Sequence, residues 1–179
     1  MSYFPETELR APTTGNTYQV CSTYITPATN ATDIFILNGS STKTVEVHRI
    51  EVAPYMDSGG VGSNSHALYA IKRTTANSGG TSTSITPTRC DTSSGAATCS
   101  AKQYSANPTT GTSAGVIGQV TINSNYNTGS LLPSILYDAR ITGKPLLLSG
   151  TAEGVAVNSN GVSVYTNGKF LITVYIKER

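Results

Sequence analysis

Short apolar segments separated by Gly, Asn and Pro recur through most of this 179-residue chain. No segment sustains a 3.6-residue apolar period, whereas two-residue alternation and β-branched residues are frequent, and this combination is typical of strands. The pattern predicts an all-β protein, a jelly-roll-like antiparallel β-sandwich. Residues 133–140 alone also fit a short helix. The predicted strands lie at about 33–37, 44–52, 67–73, 97–104, 116–122, 135–141, 146–149, 154–158, 162–165 and 170–177.

Two Asn-Gly pairs mark predicted hairpin turns, because Asn-Gly is the strongest two-residue hairpin signal. Asn38-Gly39 follows the first predicted strand, so strands 33–37 and 44–52 are expected to pair directly. Asn167-Gly168 gives the same expectation for the last two strands.

The strand at 44–52 changes the parity of its apolar residues. Val45 and Val47 share one face, but Ile50 and Val52 fall on the other if the strand is regular. One extra residue in a bulge resets the alternation. A bulge near residues 48–49 is therefore predicted to bring all four side chains to the core.

The last strand is apolar on both faces. Leu171 and Tyr175 alternate with a fully apolar set on the opposite side. Such a strand is either central between two layers or covered by another subunit. We expect Leu171 and Tyr175 to form subunit contacts. The residues predicted to face the core are Phe170, Ile172, Val174 and Ile176.

Residues 1–30 carry scattered prolines and few apolar side chains, which disfavours a long helix or an independent core. They are expected to form an extended arm ending in an edge strand, with residues 31–179 as the sandwich domain. A frayed tail followed by an edge strand fits them equally well. If the arm binds a partner surface, Tyr3, Phe4 and Leu9 are its expected anchors.

Composition excludes several functions. Charged residues make up 12% of the chain and the net charge is +2, without the basic stripe that nucleic-acid binding requires. No apolar run approaches the roughly 20 residues that span a bilayer, and no secretory signal is visible. We therefore expect no nucleic-acid partner, no membrane partner and synthesis in the cytoplasm.

No residue pattern predicts catalysis, a cofactor or a metal. His48 and His66 lack neighbouring ligands at metal spacing. Glu46 and Glu51 would suit glycoside hydrolysis only beside an aromatic cleft, and the chain has no Trp. Neither a nucleophile elbow nor a phosphate-binding loop is present. The protein is expected not to be an enzyme.

Residues 90–99, here called the central loop, contain two cysteines and Asp91. Cys90 and Cys99 are spaced to suit the two arms of a hairpin, as reduced thiols or as a disulfide, and Cys21 has no evident partner. Asp57 and Asp91 lie in loops where Asx turns are commoner than calcium sites.

The stretch 70–115 contains Ile-Lys-Arg-Thr-Thr-Ala-Asn-Ser-Gly-Gly-Thr-Ser-Thr and then Tyr-Ser-Ala-Asn-Pro-Thr. Residues 146–158 add an apolar strand, Gly-Thr-Ala and Gly-Val-Ala-Val-Asn. This wording resembles a set of tailed-bacteriophage virion proteins. The shared motifs are structural rather than chemical, so no catalytic residue is carried over.

The resemblance implies a capsid decoration, or cement, protein on the exterior of the virion. Its implied partners are the major capsid protein and further copies of itself, expected as a homotrimer. A tail, collar or fibre component is one alternative. A carbohydrate-binding β-sandwich module, with Tyr55 and Tyr126 stacking on sugars, is another.

Overall fold

The computed structural model describes residues 15–56, 63–125, 133–162 and 168–179. Of these residues, 58% lie in strands and 3% in a helix, which confirms the all-β prediction. The elements are β1 (Asn16–Cys21), β2 (Asp33–Asn38), β3 (Thr44–Met56), β4 (Ser63–Arg73), β5 (Ser82–Ile85), β6 (Thr88–Arg89), β7 (Ser100–Tyr104), β8 (Ser113–Asn125), β9 (Ser134–Asp138), α1 (Ala139–Thr142), β10 (Leu146–Ser149), β11 (Gly154–Asn158) and β12 (Gly168–Glu178).

Two antiparallel sheets pack face to face. Sheet A has the order β10-β3-β12-β1-β6, and sheet B has the order β5-β7-β2-β11-β4-β8. β9 and β10 both pair with β3 along the edge that β12 leaves free, so they act as one strand interrupted by α1. The segment from β5 to β7 is an insertion between β4 and β8. Without it, sheet A contains β1, β3, β9–β10 and β12, and sheet B contains β2, β4, β8 and β11. This order is that of a jelly roll.

β12 occupies the middle of sheet A, between β3 and β1. Each of its four predicted core residues is at most 3% exposed. Full burial of one such side chain contributes about 1.5–3 kcal/mol, so this strand is a major element of the core. The residues are Phe170, Ile172, Val174 and Ile176.

The predicted bulge in β3 is confirmed. Tyr175 pairs with Arg49 and the next residue of β12 pairs with Val47, which leaves His48 as the extra residue. The four apolar residues on either side of the bulge all point into the core at 0% exposure. They are Val45, Val47, Ile50 and Val52.

The hairpin predicted at Asn38-Gly39 is wrong. β2 lies in sheet B and β3 in sheet A, so the chain crosses between sheets here. Neither residue has the positive φ that an Asn-Gly hairpin turn requires. A Cβ on Gly39 would lie 2.5 Å from the carbonyl oxygen of Gly150, so this glycine permits a close approach of two backbones. The second predicted turn includes Asn167, outside the described residues.

Residues 16–30 are built into the sandwich rather than detached from it. β1 pairs with β12 along its whole length, and β6 borders it at Tyr18 and Gln19. Tyr18, Val20 and Ile25 are buried in the main core. Residues 1–14, with the expected anchors Tyr3, Phe4 and Leu9, lie outside the described residues.

A two-stranded crossing, here called the ribbon, is formed by residues 74–81 and 105–112. Thr74 N donates to Thr112 O at 2.9 Å, and Ser78 and Thr109 exchange two backbone hydrogen bonds. One end of the ribbon leaves the β4–β8 edge of sheet B and the other reaches the β5–β7 edge.

The ribbon covers part of the outer face of sheet B. Ile36, Ala156 and Tyr104 form a second apolar cluster, each at most 5% exposed. Ile36 and Ala156 point away from the main core, because their strand neighbours point into it, and Tyr104 packs with them. Asn77 of the ribbon hydrogen-bonds the side chains of both Tyr104 and Asp33. Sheet B is therefore partly shielded on its outer side.

Candidate interaction surface

The outer face of sheet A is here called the A face. The side chains of this face alternate with core residues along β1, β3, β12 and the interrupted strand β9–β10. They are half-buried or exposed. Both predicted contact residues, Leu171 and Tyr175, lie on it, on the same strand. Its central members are Thr17, Gln19, Cys21, Arg49, Glu51, Ala53, Tyr55, Ile135, Leu147, Leu171, Thr173 and Tyr175.

One end of the A face is apolar and aromatic. The rings of Tyr24 and Tyr55 stack with centroids 4.3 Å apart. This pair bridges β12, because Tyr24 precedes the bridge of Ile25 to Phe170 and Tyr55 belongs to β3 on the other side. Tyr24 is 50% exposed and Ile135 41% exposed. Tyrosine with aliphatic neighbours is typical of the central part of a protein interface.

The middle of the A face carries a charged group that is already paired. Arg49 Nη2 lies 2.5 Å from Glu51 Oε1, and Tyr175 Oη donates to Glu51 Oε2 at 3.4 Å. Burial raises the pKa of Tyr175, and the negative charge of Glu51 raises it further. The phenol therefore stays protonated and continues to donate to the carboxylate.

A second charged group surrounds the bulge. Glu46 is 3% exposed and pairs with Arg179, and its Oε2 lies 3.4 Å from His48 Nε2. Burial lowers the pKa of His48, and the positive charge of Lys177 lowers it further. The bulge does place Glu46 on the same face as Glu51, but each carboxylate is held by a cation. Neither is therefore an unpaired acid of the kind that glycoside hydrolysis uses.

An open groove of about 530 Å³ crosses this end of the A face. Thr17, His48, Tyr175 and Lys177 line it from the strands, and Cys90 lines it from the residue after β6. It joins the charged end of the face to the central loop.

The three cysteines are free and differ in exposure. Cys21 and Cys90 are exposed on the side of the A face, whereas Cys99 is buried. Burial, and after it the negative charge of Glu178, raise the pKa of Cys99 to about 12. Because the thiolate is the reactive form, Cys99 is protected twice, by burial and by protonation.

His66 and Ser159 form a buried pair that resembles half of a hydrolase triad. His66 Nε2 lies 2.7 Å from Ser159 Oγ, and this hydroxyl donates to Val162 O at 3.0 Å. The serine proton is thus used by a carbonyl, so the imidazole N–H donates to the serine. A general base would accept that proton instead.

Other candidate ligands are occupied locally. Asp91 accepts hydrogen bonds from Ser93 N at 2.9 Å and Ser93 Oγ at 2.8 Å, which forms the Asx turn favoured from the sequence. Asp57 and Tyr126 lie outside the described residues. Within the described ranges, no three His, Cys, Asp or Glu residues lie together as metal ligands would.

Sequence reasoning missed the Tyr24–Tyr55 stack, because the two residues are far apart in the chain and meet only across β12.

No protein-family model, curated protein or solved structure matches the chain. In the described part of the chain, no helix has the length and apolar character needed to cross a membrane.

Proposed function

We propose that this protein is a non-enzymatic structural protein of a bacteriophage virion, a decoration protein that binds the outside of the assembled capsid and stabilises it. The resemblance of residues 70–115 and 146–158 to phage virion proteins supports the virion assignment. The A face supports the adhesive role, since it is a sheet surface of aromatic, aliphatic and paired charged side chains. That surface is the observation that carries the proposal.

In this proposal, copies of the chain associate through the A face, as a homotrimer, and residues 1–14 bind the major capsid protein. Leu171 and Tyr175 lie at the centre of the contact. A protein that binds only the assembled shell stabilises that shell by mass action. The low net charge of +2 places little electrostatic repulsion between copies.

Particle imaging tests the role on the virion. Purified particles with and without the protein are compared by negative-stain microscopy, and density between capsomers is expected only when the protein is present. Deletion of residues 1–14 is expected to abolish that density without unfolding the sandwich. Density at a tail, collar or fibre would show that the protein belongs to that part of the virion instead. If the particles carry no density for the protein, the virion role is refuted.

The native cysteines test the A face. Cys21 and Cys90 are expected to react with a thiol reagent when the protein is diluted to monomers and to be protected after self-association. Cys99 is an internal control because it is buried in both states. If each of Cys21 and Cys90 reacts at the same rate at every protein concentration, any contact between copies lies outside the A face.

A further inference from the structure

A second hollow lies on the outer face of sheet B, away from the A face. It has a volume of about 260 Å³ and is lined by β4 and β8. Tyr69 pairs with Gln119, and Ala67 pairs with Thr121, so the four residues form one compact block. Val120 completes the lining.

The polar side chains of this hollow have free donors and acceptors among the described residues. In the described chain, Tyr69, Gln119 and Thr121 make no side-chain hydrogen bond or ion pair. Gln119 and Thr121 are exposed, and Tyr69 is half-buried beside them. An aromatic ring, an amide and a hydroxyl thus face the same space with their donors and acceptors available.

None of the described residues that line the hollow has a charged side chain. This argues against nucleotides and acidic ligands, because a phosphate or carboxylate would need a cation or several backbone donors. A neutral sugar ring fits better, since its C–H face can stack on Tyr69 while its hydroxyls bond to the amide and the hydroxyl.

We infer that the hollow formed by Tyr69, Gln119 and Thr121 is a binding subsite for one neutral sugar ring. Binding by a single open subsite is weak, because few groups contact the ring. Many copies on a particle would raise the overall avidity for a glycan-bearing surface. Only this last step rests on the proposed virion function; the subsite itself does not.

Titration of the isolated protein with neutral mono- and disaccharides, followed by amide chemical shifts in NMR, tests the subsite. Saturable shifts are expected at 67–69 and 119–121. Tyr69→Ala is expected to weaken binding about tenfold or more, and Gln119→Ala to weaken it less. Tyr69→Phe retains the ring and is expected to retain most of the affinity, which separates loss of stacking from loss of folding.

Tyr55→Ala is the matched control, because Tyr55 is a tyrosine on the A face. It is expected to leave sugar binding unchanged. The inference is overturned if no neutral sugar gives saturable shifts, if Tyr55→Ala rather than Tyr69→Ala removes binding, or if nucleotides bind as well as sugars. Particle imaging decides the virion role independently of all three results.

Discussion

Asp33, the first residue of β2, and Arg73, the last residue of β4, form a bidentate ion pair beneath the ribbon. Arg73 Nη2 donates to Asp33 Oδ1 at 2.6 Å and Nε donates to Oδ2 at 3.1 Å. Asn77 and Asn158 each donate a further hydrogen bond to this carboxylate. Arg73 also donates to Gly111 O, so the pair ties the ribbon to sheet B.

Asp33→Ala is expected to destabilise the fold strongly. The side chains of Asp33 and Arg73 are 0% and 7% exposed, so the substitution leaves a buried guanidinium without its counter-charge. Removing one partner of such a pair costs about 3–5 kcal/mol. Urea unfolding measures the loss. Lys72→Ala breaks the pair with Glu153, in which the side chains are 26% and 30% exposed, and it is expected to move the midpoint far less. Equal effects would show that burial does not govern these pairs.

Glu178 is expected to contribute an acid-sensitive part of the stability. Burial opposes its charge, but hydrogen bonds from Cys99 N, Thr98 N and Lys43 outweigh this and hold the pKa below its ordinary value of 4.5. The folded state therefore binds this proton less readily than the unfolded chain. The stabilisation is complete above pH 4.5 and is lost as the pH falls through the lower folded-state pKa.

Glu178→Gln tests this assignment. It replaces charge-assisted hydrogen bonds with neutral ones and is expected to cost about 1–2 kcal/mol near neutral pH. The loss should shrink on acidification, so unfolding curves of the variant are expected to depend less on pH below 4.5. An unchanged acid dependence would assign that dependence to other carboxylates.

His66 is expected to destabilise the protein in mild acid. It is 3% exposed, and burial lowers its pKa from 6.5. The unfolded chain takes up the proton first, so stability is greatest above pH 6.5 and falls as the pH drops towards the folded-state pKa. His66→Phe keeps an aromatic ring beside Phe170 and is expected to flatten this dependence. His48→Gln, at a more exposed histidine, is expected to change it less; the reverse order would contradict the assignment.

The sequence predicted side-chain alternation well, because alternation depends only on neighbouring residues. The bulge at His48 and the two-sided character of β12 follow directly from parity. Pairing between distant segments was harder. Asn38-Gly39 has the local signature of a hairpin, but β2 pairs with β7 and β11 in sheet B, and β3 pairs with β9, β10 and β12 in sheet A.

A local polar contact also explains why a short helix, α1, stands where the sequence predicted the end of a strand. The strand expected at 135–141 ends at Asp138, whose side chain caps α1 by accepting from Arg140 N at 2.8 Å. Asp can form such a cap or a turn, and the sequence does not distinguish the two. The hollow at Tyr69 could not be predicted at all, because it depends on the register of β4 against β8.

Gly118→Ala is expected to destabilise the sandwich by about 1–3 kcal/mol, the usual cost of overpacking. A Cβ there would overlap the carbonyl oxygen of Leu136, where β8 approaches β9 of the other sheet. Both contacting groups belong to strand backbones and cannot move independently. Gly95→Ala is the control, since nothing lies within 4 Å of its added Cβ. Thermal unfolding of the two variants measures the difference, and similar midpoints would mean that the two sheets readily separate at β8.

Leu171→Glu is expected to weaken self-association while leaving the monomer folded. Leu171 is half-buried on the outer side of β12, beside the stacked Tyr24 and Tyr55, so a carboxylate there would be desolvated whenever two copies pack through the A face. Val116→Glu places the same charge at an exposed valine of β8, 55% exposed and off that face, and is expected to leave association unchanged. Sedimentation velocity over a series of protein concentrations measures the self-association of both variants. Loss of association in Val116→Glu but not in Leu171→Glu would move the contact from the A face to the edge of sheet B.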